Sequence, residues 1–85
     1  MKKITIYSSI FCPYCMGAKK IFNLLDIEYT EILVDGDSEL RNEMKLKSKG
    51  KNTVPQIFFD DTLIGGFDEI NQIYQKGKLK EMLEI

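Results

Sequence analysis

Phe11-Cys12-Pro13-Tyr14-Cys15 holds both cysteines of an 85-residue chain, three positions apart. A short apolar run, Ile4-Thr5-Ile6-Tyr7, stands before it, and a run with helical spacing, Ala18 to Leu25, stands after it. Cys-x-x-Cys at a strand-to-helix junction reads as a redox pair. A sulfur at the start of a helix faces unpaired backbone N–H groups and the positive end of the macrodipole, and both favour an anion. The thiolate is the nucleophilic form of cysteine. Pro13 suits the first turn, where an N–H would have no partner anyway. Cys12, outside the helix, is therefore the expected exposed attacker, and Cys15, one turn in, the more buried resolving thiol. The competing readings are a pair of small buried hydrophobes and a structural zinc site. Zinc takes about four ligands. The chain has no His and no third Cys, so a site of protein Cys and His alone is excluded and no metal is expected.

Outward from the motif, Lys3 to Tyr7 is β-rich and predicts a central strand. The spacing predicts a helix from about Pro13 to Leu25, with Cys15, Ala18, Ile21, Phe22 and Leu25 inward and Lys19 and Lys20 outward. Gly17 inside it costs about 1 kcal/mol relative to alanine. Two readings of Gly17 stay open, close packing beside the cysteines and neutrality. Tyr29 to Val34 predicts a second strand, parallel to the first through a right-handed βαβ crossover. Asp37 or Ser38 then caps a helix to about Lys47, whose apolar face is thin: Leu40, Met44 and one of Leu46 or nearby Leu33.

Beyond a basic loop, Ser48 to Asn52, Gln56 to Phe59 and Thr62 to Ile64 predict an antiparallel hairpin turned at Asp60-Asp61. Gly65-Gly66 ends it. A helix opens at Phe67-Asp68-Glu69 with Ile70, Ile73 and Tyr74 on one face. Gly77 interrupts it, and Lys78 to Ile85 carries Leu79, Met82 and Leu83 at helical spacing, suited to covering the sheet edge. The order βαβ-α-ββ-α gives an α/β fold, one small mixed sheet with helices on both faces.

The length predicts one domain, residues 1–85. Apolar residues make 44% and charged residues 29% of the chain, the proportions of an ordinary globule. A formal net charge of -1 gives no broad attraction to nucleic acid or an acidic membrane. Met1-Lys2-Lys3 imitates the charged start of a leader, yet no apolar core follows it. No apolar run approaches a membrane span. The expectation is a reducing cytoplasm, where a cysteine pair is more often catalytic than structural, and a monomer.

Three motifs together resemble the dithiol glutaredoxins of the thioredoxin-fold superfamily: Cys12-Pro13-Tyr14-Cys15, Thr53-Val54-Pro55-Gln56-Ile57-Phe58 and Gly65-Gly66-Phe67-Asp68. The resemblance spans essentially the whole chain. It implies a four-stranded thioredoxin fold and a glutathione-dependent thiol–disulfide oxidoreductase working through Cys12 and Cys15. It implies a cis peptide between Val54 and Pro55, with the Val54 backbone offered to an extended, peptide-like ligand. It implies that Gly66, Phe67 and Asp68 hold the γ-glutamyl end of glutathione, with Asp68 near the ammonium. Lys51, with Gln56 nearby, matches the basic position for the glycyl carboxylate, and Tyr14 flanks the substrate. Two departures stand out. Ser9 replaces a lysine frequent three positions before the first cysteine, and Phe67 stands where some relatives place a further cysteine.

Glutathionylated or disulfide-containing proteins are the implied partners, with ribonucleotide reductase suggested by resemblance alone. Two alternatives remain at this point. One is a thioredoxin-like electron donor recharged by a flavin reductase. The other is a protein holding a [2Fe–2S] cluster between two protomers through glutathione, against which Pro13 argues.

Overall fold

The computed structural model describes residues 1–85. Its sheet is built around β1 (Ile4–Ser8), which runs parallel to β2 (Thr30–Leu33) on one side and antiparallel to β3 (Gln56–Phe59) on the other. β4 (Thr62–Gly65) pairs antiparallel with β3, so the order is β2-β1-β3-β4. The helix α1 (Pro13–Leu24) makes the crossover from β1 to β2. A parallel pair requires such a crossover, whereas the β3–β4 pair needs only its two-residue turn. α2 (Ser38–Lys47), α3 (Phe67–Gln75) and the single turn α4 (Leu79–Met82) complete the chain. This is the thioredoxin fold.

Alternation along β1 decides the two cores. Ile4 and Ile6 point to one face, where Ile57 and Phe59 of β3 join them. α1 covers that face with Ala18, Ile21 and Phe22, α3 with Ile70, and the C-terminal segment with Leu79 and Leu83. Burying one such side chain as large as Phe22 contributes about 2–3 kcal/mol. Tyr7, between the two isoleucines' partners in the pleat, points the other way. It packs with Phe58, Val34 and Met44 under α2. The Tyr7 and Phe58 rings meet edge to face at 5.8 Å. The Tyr7 hydroxyl donates to Glu43 Oε2 at 2.8 Å. Burial, and then the neighbouring Glu43 carboxylate, push the Tyr7 pKa up to about 12.

Four expectations need correction. Leu46 is 82% exposed, and Leu33 is exposed as well, so neither extends the α2 face. Leu46 follows Met44 by two residues, about 200° round a helix, and Met44 alone fills the gap against Tyr7 and Phe58. Leu25 is only half-buried, because α1 has already ended there. Met82 points outward, for Leu79 and Leu83, four apart, take the buried side of the last turn. That turn covers a sheet face, together with α1 and α3, rather than an edge.

Candidate active site

Cys12 is the N-cap of α1, with extended backbone (φ -131°, ψ 103°), and Pro13 follows at the first helical position. The Cys15 N–H donates to Cys12 Sγ at 3.1 Å. The sulfur thus takes the place that a serine or aspartate oxygen fills at most helix starts, which is where negative charge is favoured. Cys12 and Cys15 are joined as a disulfide, their Cα atoms 5.2 Å apart. Cys15 is fully buried, as expected. Cys12 is 6% exposed, less open than its place outside the helix suggested. Its sulfur is turned inward to Cys15, and Val54 O lies 3.8 Å from it on the other side.

Two carboxylates of the β2 strand and its exit hold the loop that carries Cys12. Asp35 accepts from Ser9 Oγ at 2.6 Å and from the Ile10 N–H at 2.8 Å. Those two bonds, Ser9 first, hold its carboxyl below the usual carboxylate range. Glu31 accepts from Lys19 Nζ at 2.6 Å and from the buried Ser8 hydroxyl at 2.5 Å. Its pKa is lowered by Lys19 first and Ser8 second. Ser9 therefore has a definite task where relatives keep a lysine: it ties the loop to Asp35. Neither acid was singled out by sequence, because nothing in the spacing of residues 31 and 35 connects them to residues 8–10.

The second wall is the segment from Ser48 to Gln56. The Val54–Pro55 peptide is cis. Ser48 is fully buried, and its hydroxyl donates to Lys51 O at 2.9 Å, which fixes the backbone that presents the exposed Lys51 side chain. Arg41 of α2 donates to Asn52 O at 3.3 Å, bringing a second cation beside Lys51. Gln56 is buried rather than open to the groove. Its amide donates to Thr53 O at 2.9 Å and to Thr53 Oγ1 at 3.2 Å, and its Oε1 has no partner. Ser48 and Arg41 went unnoticed in the sequence, where both read as ordinary surface residues of a basic stretch.

The third wall is the start of α3. Gly66 is its N-cap, and the Gly66 N–H donates to Glu69 Oε2 at 2.9 Å. A methyl on Gly66 would lie 3.3 Å from Pro55 O, so the glycine lets the second and third walls touch. The N–H groups of Phe67 and Asp68 donate to no group in the chain. Phe67 leans on Tyr14, ring centroids 5.9 Å apart and planes tilted 41°.

These walls enclose one groove of about 340 Å³, within the range of small-molecule sites. Tyr14, Lys51, Thr53, Val54, Pro55, Gln56, Gly66, Phe67 and Asp68 all line it, joined by Glu69. Residues drawn from three separated motifs are therefore brought to one place. A cation stands at the Lys51 end and two carboxylates at the α3 end.

A cysteine pair at a helix start, facing a proline loop on a sheet of this order, defines a thiol–disulfide oxidoreductase. The glutaredoxin family model matches residues 4–64. A glutaredoxin of Pseudomonas aeruginosa is 39% identical over 83 residues, 98% of each chain. Among solved structures, the glutaredoxin of Brucella melitensis superposes with a TM-score of 0.83 at 37% identity, over 98% of this chain and 89% of that one. A buckwheat glutaredoxin in complex with glutathione superposes with a TM-score of 0.85 at 30% identity, over 98% of this chain and 77% of that one. The chain belongs to the glutaredoxin family.

Proposed function

We propose that the protein uses glutathione to reduce protein–glutathione mixed disulfides and protein disulfides. One observation carries the reading: the groove that begins at the cysteine pair has a free cation at one end and open backbone N–H groups beside a carboxylate at the other. Glutathione has the matching order of groups. Lys51, with Arg41 nearby, takes the glycyl carboxylate. The Phe67 and Asp68 N–H groups at the α3 start take the γ-glutamyl carboxylate, and Asp68 takes its ammonium. The Val54 N–H, which donates to no group in the chain, pairs with the cysteinyl backbone as a neighbouring strand would. Tyr14 and Phe67 flank the tripeptide.

In the reduced protein the Cys12 thiolate attacks the glutathionyl sulfur of a mixed disulfide. The old S–S bond breaks, and the target leaves as a thiolate that takes a proton from water. Cys12 now carries glutathione. A second glutathione thiolate attacks that sulfur, releasing oxidised glutathione and the Cys12 thiolate. Alternatively the Cys15 thiolate displaces glutathione and closes the internal disulfide, which two glutathiones then reopen. Each step is a thiolate exchange, so its rate follows thiolate fraction, leaving-group pKa and access. A cytoplasmic setting, which keeps thiols reduced, suits such a cycle.

The test is turnover of a glutathionylated peptide with glutathione, glutathione reductase and NADPH. The same protein is assayed in parallel with thioredoxin reductase replacing the glutathione system. Turnover in the first assay alone is expected. Turnover only in the second would replace this reading with that of a flavin-reductase-driven electron donor.

A further inference from the structure

Gly17 lies in the second turn of α1, where a helix gains nothing from glycine. The structure gives it a neighbour. A methyl built on Gly17 would stand 2.8 Å from Phe67 Cε1, 3.2 Å from Cδ1 and 3.4 Å from Cζ. Carbon atoms rest at about 3.5–4.0 Å, so the face of the Phe67 ring occupies the space a side chain at position 17 would need. That ring cannot yield as the free end of a lysine could. It begins α3, and its other contact is the Tyr14 ring. Both rings line the groove. The glycine, outside the groove itself, therefore decides where one groove wall stands.

We propose that Gly17 is a specificity-determining positioning residue: by leaving room on α1 for the Phe67 ring, it sets the width of the groove between Tyr14 and the α3 start, and so the fit of the γ-glutamyl end of glutathione. The inference rests on the glutathione reading of the groove. A residue with a side chain at position 17 drives the ring off α1 and changes the wall against which that end of the tripeptide lies. Cys12, in the preceding turn, keeps its cap bond to the Cys15 N–H, so sulfur chemistry continues once substrate is bound.

The experiment is a double-mutant cycle on Gly17→Ala and Phe67→Leu, measured as KM and kcat for a glutathionylated peptide in the glutathione-coupled assay, with thermal melting of all four proteins. Gly17→Ala is expected to raise KM about three- to tenfold, the scale of one misplaced aromatic contact, with kcat changed less than about twofold. Its melting temperature stays level or rises, since alanine is the better helix former. In the Phe67→Leu background the same change leaves KM where Phe67→Leu alone puts it. With wild-type turnover intact, an unchanged KM in Gly17→Ala, or an equal rise in both backgrounds, overturns the inference alone. A Gly17→Ala protein that unfolds, and is rescued by Phe67→Leu with the KM of that single variant, marks a purely structural glycine and overturns it too. A wild-type protein that ignores glutathione overturns both this inference and the function it rests on.

Discussion

Two helices begin at the groove, and they begin differently. α1 starts on a sulfur: Cys12 caps it, the Cys15 N–H points at Sγ, and its first turn has no acid. α3 starts on a glycine: Gly66 has no side chain to cap with, Glu69 takes its N–H, and Asp68 and Glu69 crowd the first turn. Both ends present the same orphan N–H groups. At α1 they favour charge on a covalently reactive atom of the protein itself. At α3 they stay open to a visiting anion, and the adjacent carboxylates add the selectivity for an amine. One physical resource serves chemistry at one end and recognition at the other, and the residue at the cap decides which.

The largest effects should come from breaking the α1 end. Cys12→Ser should abolish turnover of every disulfide substrate, since no other accessible sulfur remains. Cys15→Ser should keep turnover of glutathionylated peptide within about threefold of wild type, because access to Cys12 is unchanged, while reduction of protein disulfides is lost. Equal loss of both activities in Cys15→Ser would reverse the division of labour between the two sulfurs.

An intermediate effect is expected at the α3 end. Asp68→Asn removes a charge-assisted partner of an ammonium at an exposed position and should raise KM for glutathionylated peptide about three- to tenfold, with kcat nearly constant. A fall in kcat at constant KM would move Asp68 from recognition to the sulfur chemistry and erase the contrast between the two helix starts.

The smallest effect sharpens the comparison from the loop side. Asp35 and Glu31, which hold the approach to Cys12, have folded-state pKa values below their usual ones. Such groups stabilise the fold above the unfolded pKa and lose that contribution as pH falls through the folded pKa. Wild type should therefore exceed Asp35→Ala in urea midpoint at pH 7, and the gap should shrink as the pH drops below about 4. A gap that widened in acid would contradict the bonds from Ser9 and Ile10.

What was legible in the sequence follows from where the information lies. Ile4 and Ile6, the helical spacing of Ala18, Ile21 and Phe22, and the Asp60-Asp61 turn each encode local structure, and the sheet followed from them. The groove was legible because three short motifs each carry local backbone chemistry, and all nine predicted lining residues meet there. Roles for them within the groove belong to the proposed function. The polar ties were not legible. Asp35 reaches residues 25 positions away and Glu43 reaches Tyr7 across 36, and a hydrogen bond between distant residues leaves no periodic trace. The thin amphipathicity of α2 misled for a related reason: one buried methionine and a buried tyrosine hydroxyl anchor that helix, so Leu46 had no face to join. Gly17 was noticed but not understood, because its reason is a ring fifty residues further along.

The complete burial of Cys15 has a kinetic consequence. A large thiol from another molecule cannot reach that sulfur, so capture of a target scales with target concentration and occurs at a single doorway. Closure by Cys15 is a collision within one helical turn and has no such dependence. In crowded and dilute conditions alike, the waiting time for release is set inside the molecule, while the waiting time for capture is set outside it.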